Sequence, residues 1–377
     1  MSQETIRDRQ RSTEEITVKQ YTFRATCAPL LGLSANLFLL LPATALLSGC
    51  GSSDSLDKAC SVLAEAQCDR RQACTDTVLG SAGTVVYPDG VFILSTYGDK
   101  ATCLARQHLA CMNNASAAGS GNSVAQLEKC ASEYSSWSCS DLFDGNANPP
   151  PDCVPPGSRA NGQTCALAGQ CASRFCAGTK NATCGVCADE PVDGASCETS
   201  GCAAGQTCKT ESMEALVCRD RLPVDNSTCS ADVPCQAFSS CVGASPIDAT
   251  ETGTCTATAV TLGASCGGNA NPGCESNLGL ACLGPAGGKT CQQVAYVPAA
   301  SACATLADGS RAACIGSDCF TANGPAAATD TDATCVARAA DGAACDTQHG
   351  RLCLTPARCV TSGGSTAGVC VVPSLCQ

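Results

Sequence analysis

The chain has 377 residues and 36 cysteines, with only 3 % aromatic and 15 % charged residues and a formal net charge of −12. That acidity argues against a nucleic-acid partner, because phosphate binding needs a basic surface and the longest cluster is Arg70-Arg71. From Cys153 onward Leu, Ile, Val and Phe make up about 14 % of residues, below the ~20 % needed to fold by burial, while Cys supplies about 12 %. A barrel or doubly wound enzyme fold is excluded by the same numbers, and cross-links are expected to take the place of a large core.

In chain order, residues 1–49 read as an export signal. Lys19 and Arg24 precede an apolar run from Ala28 to Leu47, which ends in Ser48-Gly49-Cys50-Gly51. The acids Glu4, Asp8, Glu14 and Glu15 do not suit such a signal, so a start at Val18 is expected instead. Leu47-Ser48-Gly49-Cys50 resembles a bacterial lipobox. The resemblance implies cleavage between Gly49 and Cys50 and a diacylglycerol on the Cys50 thiol, with residues 50–54 as the lipidated N-terminus. Gly51, where an aspartate would hold a lipoprotein back, implies the outer membrane. A transmembrane anchor needs about 20 apolar residues, and Pro29, Asn36 and Pro42 weaken that reading.

Residues 55–145 are expected to form a small helical domain pinned by disulfides among Cys60, Cys68, Cys74, Cys103, Cys111, Cys130, Cys139 and Cys153. Leu56, Cys60, Leu63 and Cys74 share a stripe at helical period over Asp54–Cys74. Asp99 can cap a helix through about Met112, and Ser123-Val124-Ala125-Gln126 reads as a capping box that turns Leu127, Cys130 and Tyr134 inward. Between the first two helices Tyr87-Pro88-Asp89-Gly90 is a turn, followed by the short apolar run Val91–Leu94. Trp137, the one tryptophan, is read as core. The Asn- and Pro-rich stretch 146–160 reads as a linker.

Residues 161–377 then repeat. The four-cysteine units are Cys165/171/176/184, 197/202/208/218, 229/235/241/255, 266/274/282/291, 303/314/319/335 and 345/353/359/370, with starts 32, 32, 37, 37 and 42 residues apart. Gly162, Gly194, Gly263 and Gly342 stand three residues before the first cysteine of their units; Asn226 and Ala300 hold that place in the other two. Asn161-Gly162, Asp193-Gly194 and Asp341-Gly342 predict a tight turn there, leading into two short strands. Removing Cys27 with the signal and Cys50 with the lipid leaves 34 cysteines, an even number, and export makes disulfides their default state. Pairing first-to-third and second-to-fourth is expected, since interleaved bonds constrain more chain than neighbouring ones. For the first unit this predicts Cys165–Cys176 and Cys171–Cys184, with Cys187 and Cys376 left over.

The spacing Cys165-x5-Cys171-x4-Cys176-x7-Cys184-x2-Cys187, followed by Cys197 and Cys202, is similar to the Dickkopf N-terminal cysteine-rich domain over about residues 165–208. The resemblance implies a small disulfide-knit shape; the adjacent Cys-Cys pair of that family is missing, so no receptor role is carried over. The whole layout resembles the cysteine-rich surface lipoproteins of myxobacterial type.

The fold class read from the chain is therefore a tandem of small disulfide-rich modules with short β-hairpins, preceded by a small disulfide-pinned α-helical domain. Its disulfide cysteines are the eight of the helical domain and those of the repeats, Cys187, Cys208 and Cys218 among them. No catalytic residue, cofactor or metal is expected. Cys184-Gly185-Val186-Cys187 lacks the second pair of a zinc site, and Asp330 and Asp332 lack the Gly and Glu of a calcium loop. A membrane-anchored surface array follows, holding the membrane through its lipid and an extracellular protein or glycan through its modules. A soluble secreted inhibitor is the alternative, and a hydrolase-type site around His108 and Tyr97 in 55–145 a further one.

Overall fold

The computed structural model describes residues 52–373, apart from 81–82, 146, 179–181, 199–200, 211–215, 225–226, 245–249, 269, 286 and 363–364. The signal segment, Gly49, Cys50 and Cys376 lie outside the described residues.

The helical region begins with α1 (Ser52–Thr75), whose Ala59, Cys60, Leu63, Ala64, Cys68 and Cys74 are buried at steps of three and four. A short antiparallel hairpin follows, β1 (Thr77–Gly80) with β2 (Gly83–Val86), and then α2 (Val91–Tyr97), where only an apolar run over Val91–Leu94 is expected. Helix α3 (Lys100–Ser116) starts as predicted at Asp99, whose carboxylate accepts the Thr102 N–H at 2.7 Å, and runs four residues past the predicted end. Helix α4 (Val124–Tyr134) has half of the expected box: Ser123 Oγ accepts from Gln126 N, but Gln126 Oε1 accepts from the Ser123 hydroxyl at 3.0 Å in place of its backbone N–H. Helix α5 (Cys139–Phe143) is capped by Ser138.

Cys60–Cys111 and Cys68–Cys103 rivet α1 antiparallel to α3. Eight residues are just over two turns, so both bonds fall on one face about 12 Å apart. Cys74–Cys139 holds α5, and Cys130–Cys153 ties α4 to the 3-10 turn Pro151–Cys153. The stretch 146–160 is therefore held against the helices: Lys129 pairs with Asp152, and Ser158 N–H donates to Gly119 O at 2.9 Å. Trp137 is buried against Tyr134, and its indole N–H donates to Ala147 O at 3.0 Å.

Six small disulfide-rich modules follow, built on one plan. In each, the third cysteine stands opposite the last across an antiparallel hairpin: Cys176↔Cys187, Cys208↔Cys218, Cys241↔Cys255, Cys282↔Cys291, Cys319↔Cys335 and Cys359↔Cys370. The first cysteine bonds the third and the second bonds the last, as in Cys229–Cys241 with Cys235–Cys255. Modules 2 to 6 thus follow the predicted pairing.

Module 1 corrects it. Cys165–Cys176 forms as expected, with Cα atoms 6.0 Å apart, but Cys171 bonds Cys187 and not Cys184. The cause is strand register. The N–H of the last cysteine always donates to the carbonyl two residues before the first cysteine: Cys187 to Gln163, Cys218 to Ala195, Cys255 to Ser227, Cys291 to Ala264, Cys335 to Ser301 and Cys370 to Ala343, at 2.8–3.0 Å. Cys187 occupies that position, so Cys184 is the inserted residue; it is disulfide-bonded as well.

The turn three residues before the first cysteine is also constant. Gly162, Gly194, Gly263, Ala300 and Gly342 each donate N–H at 2.8 Å to the carbonyl of their module's last cysteine, and each has φ between 68° and 87°. Because only this third turn residue takes positive φ, the turn is type II, and glycine suits it. The segment leading into five modules then lies parallel to the second cysteine, as Arg159↔Cys171, Leu222↔Cys235, Ala259↔Cys274, Val297↔Cys314 and Ala339↔Cys353.

The tandem modules pack around the helices. Module 1 holds the end of α3 through Gln170 Nε2 to Ala118 O (2.8 Å). Modules 2 and 3 meet at Asp144, through Arg221 and the Ala237 N–H. Module 4 shares a core with the first hairpin, in which Val78, Tyr87 and Val91 pack with Cys266, Leu278 and Leu280. Module 5 docks on α2 by Gly316 N–H to Leu94 O (3.0 Å), and module 6 on α3 by Arg106 with Asp341. Arg358 of module 6 reaches Ala166 O of module 1 at 3.4 Å, so the circuit returns to its start. The physical reason is that two stacked disulfides bury little else. Several of the modules' few large apolar residues find cover on the helical region: Phe238 on Phe143, Leu280 on Val78 and Val91, and Leu354 beside Ile93 and Tyr97.

Candidate functional site

Five groups that bring three cysteine sulfurs within 4.8 Å of one another, among them Cys165/Cys171/Cys187 and Cys303/Cys314/Cys335, have the look of thiolate metal centres. They are stacked disulfides, and a sulfur already bonded to sulfur is no thiolate ligand. All 33 described cysteines are disulfide-bonded. The Cys184-x-x-Cys187 pair is divided, since Cys187 is joined to Cys171.

The remaining chemistry-bearing residues are scattered. His108, on α3, has Nε2 3.1 Å from Asp57 Oδ1 and 3.3 Å from Asp57 O on α1, so an acid lies within its reach. Tyr97, the other residue of that reading, receives a hydrogen bond from Nε2 of Gln107 (2.7 Å), the neighbour of His108 on α3, while His108 itself turns to Asp57. The structure does not bring the two together. His349 Nδ1 stands 3.2 Å from Asp346 Oδ2 in module 6. Two backbone amides, from Gln348 and His349, donate to Asp346 Oδ1 and bring its pKa down to about 2. Asp330, half of the calcium-like pair, is a turn acceptor: its Oδ2 takes the Ala327 N–H at 2.7 Å.

One carboxylate is structural in a way the sequence hid. Asp144 is 3 % exposed, and its Oδ1 accepts from Arg221 Nη1 (2.8 Å) and Ala237 N (2.7 Å), while its backbone carbonyl accepts from Gly205 N. Burial raises its pKa above the ordinary carboxylate range; the Ala237 amide and the Arg221 charge oppose that shift. A single residue at the end of α5 thus joins the helices to two modules.

What varies between modules is loop length: the span from first to second cysteine ranges from four residues in module 2 to ten in module 5, and that from third to last from eight in module 4 to fifteen in module 5. A constant ladder carrying unequal hairpin ends is a frame that presents different loops. Val186 of module 1 and Val369 of module 6, each one residue before the last cysteine, are 46 % and 45 % exposed.

Comparison with family models, with curated proteins and with solved structures finds no match to the chain. No described helix is long and apolar enough to cross a membrane. The density of disulfides is that of a protein of an extracellular or cell-surface compartment, where thiols oxidise and stay oxidised.

Proposed function

We propose that this chain is a lipid-anchored, extracytoplasmic binding scaffold of the cell surface. Cys50 carries the lipid and holds the protein to the outer membrane. The helical region is the hub, and the six modules display their hairpin ends around it to an extracellular protein or glycan. The observation that supports this reading best is the repetition itself: six copies of one doubly bonded frame differ in the lengths of the loops they carry, the hairpin end between third and last cysteine among them. A catalytic protein needs one constellation of unlike groups, whereas a repeated frame with varied ends serves contact.

The test is fractionation of the producing cells followed by mass spectrometry of the mature N-terminal peptide. A peptide beginning at an acylated Cys50, recovered only with detergent, is the expected result. An unmodified N-terminus in the aqueous wash would instead select the soluble secreted binder. Exchanging the module 5 hairpin end (320–334) for that of module 4 (283–290) should change partner capture while every other disulfide forms as before.

A further inference from the structure

A cavity of about 200 Å³ opens between α1, α3 and α4 and is closed on one side by the strap 149–154. Its walls carry four carboxamides, Gln67, Gln107, Asn114 and Asn122, beside the aromatic pair Tyr134 and Trp137. The polar groups are only partly spent. Gln107 gives Nε2 to Tyr97, Gln67 meets the Tyr134 hydroxyl, and Asn122 Nδ2 donates to Ser120 Oγ at 3.0 Å. Asn114 Oδ1 is buried and accepts no hydrogen bond. The only charge on the wall, Asp152, is neutralised by Lys129. Cys111, Cys130 and Cys153 also line the cavity, so Cys60–Cys111 and Cys130–Cys153 fix its walls before any ligand arrives.

We infer that this cavity binds a single neutral sugar ring. Three features select that class. The volume lies below the ~300 Å³ where pockets for drug-sized ligands begin, so one ring is admitted and a chain of rings is not. Carboxamides both donate and accept, which matches vicinal hydroxyls that do the same. The lack of uncompensated charge disfavours a phosphate, an amine or a carboxylate, which would be desolvated without a counter-ion. Leu63, Leu127 and Trp137 supply the apolar surface for the C–H face of the ring. The cavity belongs to the helical hub and not to the hairpin ends, so this inference does not depend on the lipid at Cys50 or on what the modules hold.

Trp137 is the single tryptophan of the chain, so its fluorescence reports on this cavity alone. The oxidised full-length protein is titrated with glucose, galactose and N-acetylglucosamine, with galacturonate and glucosamine as charged controls. A saturable change with at least one neutral sugar and none with the charged pair is expected. Gln107→Leu should weaken that response tenfold or more. Asn122→Ala, which alters a loop and no helix, should weaken it at least threefold with the disulfide map unchanged. No saturable change with any neutral sugar up to about 10 mM, tenfold above a millimolar Kd, would leave the cavity to ordered water and overturn the inference. Equal response to the charged sugars, or variants that bind like the parent, would overturn it as well.

Discussion

Gly98 and Gly316 meet backbone to backbone. A Cβ on Gly316 would stand 3.0 Å from both Cα and N of Gly98, closer than such atoms ordinarily sit, so the two backbones would have to part by a few tenths of an ångström. Gly98 ends α2 at φ 87°, donating to Ile93 O and Leu94 O, and Gly316 of module 5 donates to the same Leu94 carbonyl. The contact therefore completes a helix C-terminus with an amide from a residue more than two hundred positions away.

Gly316→Ala should accordingly destabilise the docking of module 5 by about 1–3 kcal/mol, the usual cost of forcing atoms into a filled space. The module's own bonds, Cys303–Cys319 and Cys314–Cys335, should survive. Urea unfolding under non-reducing conditions reads the first effect, and peptide mapping the second. An unchanged midpoint would mean that module 5 does not need α2.

Much of this could be read from the residues. The helices were visible because Cys60, Cys68, Cys103 and Cys111 keep helical steps and Asp99 and Ser123 are good caps. The interleaved pairing followed from loop closure. Other features depended on partners distant in sequence. Spacing alone could not distinguish Cys184 from Cys187 as the mate of Cys171, because that choice is made by which residue stands opposite Cys176. The packing of modules around the helices rests on contacts such as Asp144 with Ala237 and Leu262 N–H with Leu79 O. Neither has a local signature. A clue was present nonetheless: module 4 and the segment after it carry Leu278, Leu280 and Tyr296, and large apolar residues on so small a frame need cover. The hairpin of β1 and β2 was also legible in Thr77-Val78-Leu79 and Thr84-Val85-Val86, two β-branched runs around a glycine-bearing turn.

Asp144→Ala should be among the most damaging surface-distant substitutions, at about 2–4 kcal/mol, because it leaves the Arg221 guanidinium and the Ala237 amide without their acceptor. Asp144→Asn keeps an acceptor and should cost less. Its pH dependence has a definite sign. The folded carboxyl titrates above its ordinary value, so the fold binds more protons than the unfolded chain in that window. The part of stability due to Asp144 falls as pH rises through it. Asp144→Asn should remove that slope, which unfolding midpoints between pH 4 and 6 would reveal.

Asp346 works in the opposite direction. Its folded pKa is brought down to about 2 by the Gln348 and His349 amides, so its contribution is complete above the ordinary carboxylate value and is lost as pH falls toward 2. Asp346→Asn should flatten the acid limb of the stability curve. Measuring both proteins at pH 5 and pH 2.5 checks this: the difference between them should be larger at pH 5.

The two cysteines of the Cys-x-x-Cys should separate cleanly on substitution. Cys187→Ser removes the second bond of module 1, whose 16-residue separation corresponds to about 3 kcal/mol of chain entropy. The module should open to proteases between Gly162 and Cys187. Cys184→Ser leaves Cys165–Cys176 and Cys171–Cys187 in place and should expose one titratable thiol with module 1 still resistant. Equal protease sensitivity of the two variants would contradict the assignment of Cys187 as the fourth module cysteine.

Ala300 offers the sharpest test of the shared turn. It sits at φ 68° where modules 1, 2, 4 and 6 have glycine, and its N–H makes the same 2.8 Å bond to the last cysteine of its module. An L-residue in that region costs roughly 1–2 kcal/mol, and glycine returns part of the gain through its greater freedom in the unfolded chain. Ala300→Gly should therefore stabilise the protein by up to about 1 kcal/mol. The reverse change at Gly263, where a Cβ would meet nothing within 4 Å, isolates the same backbone term without a clash. Gly263→Ala should destabilise by about 1 kcal/mol. Unfolding midpoints that move in opposite directions for the two variants are expected. Movement in the same direction would show that the conformation of this residue is not what holds the turn.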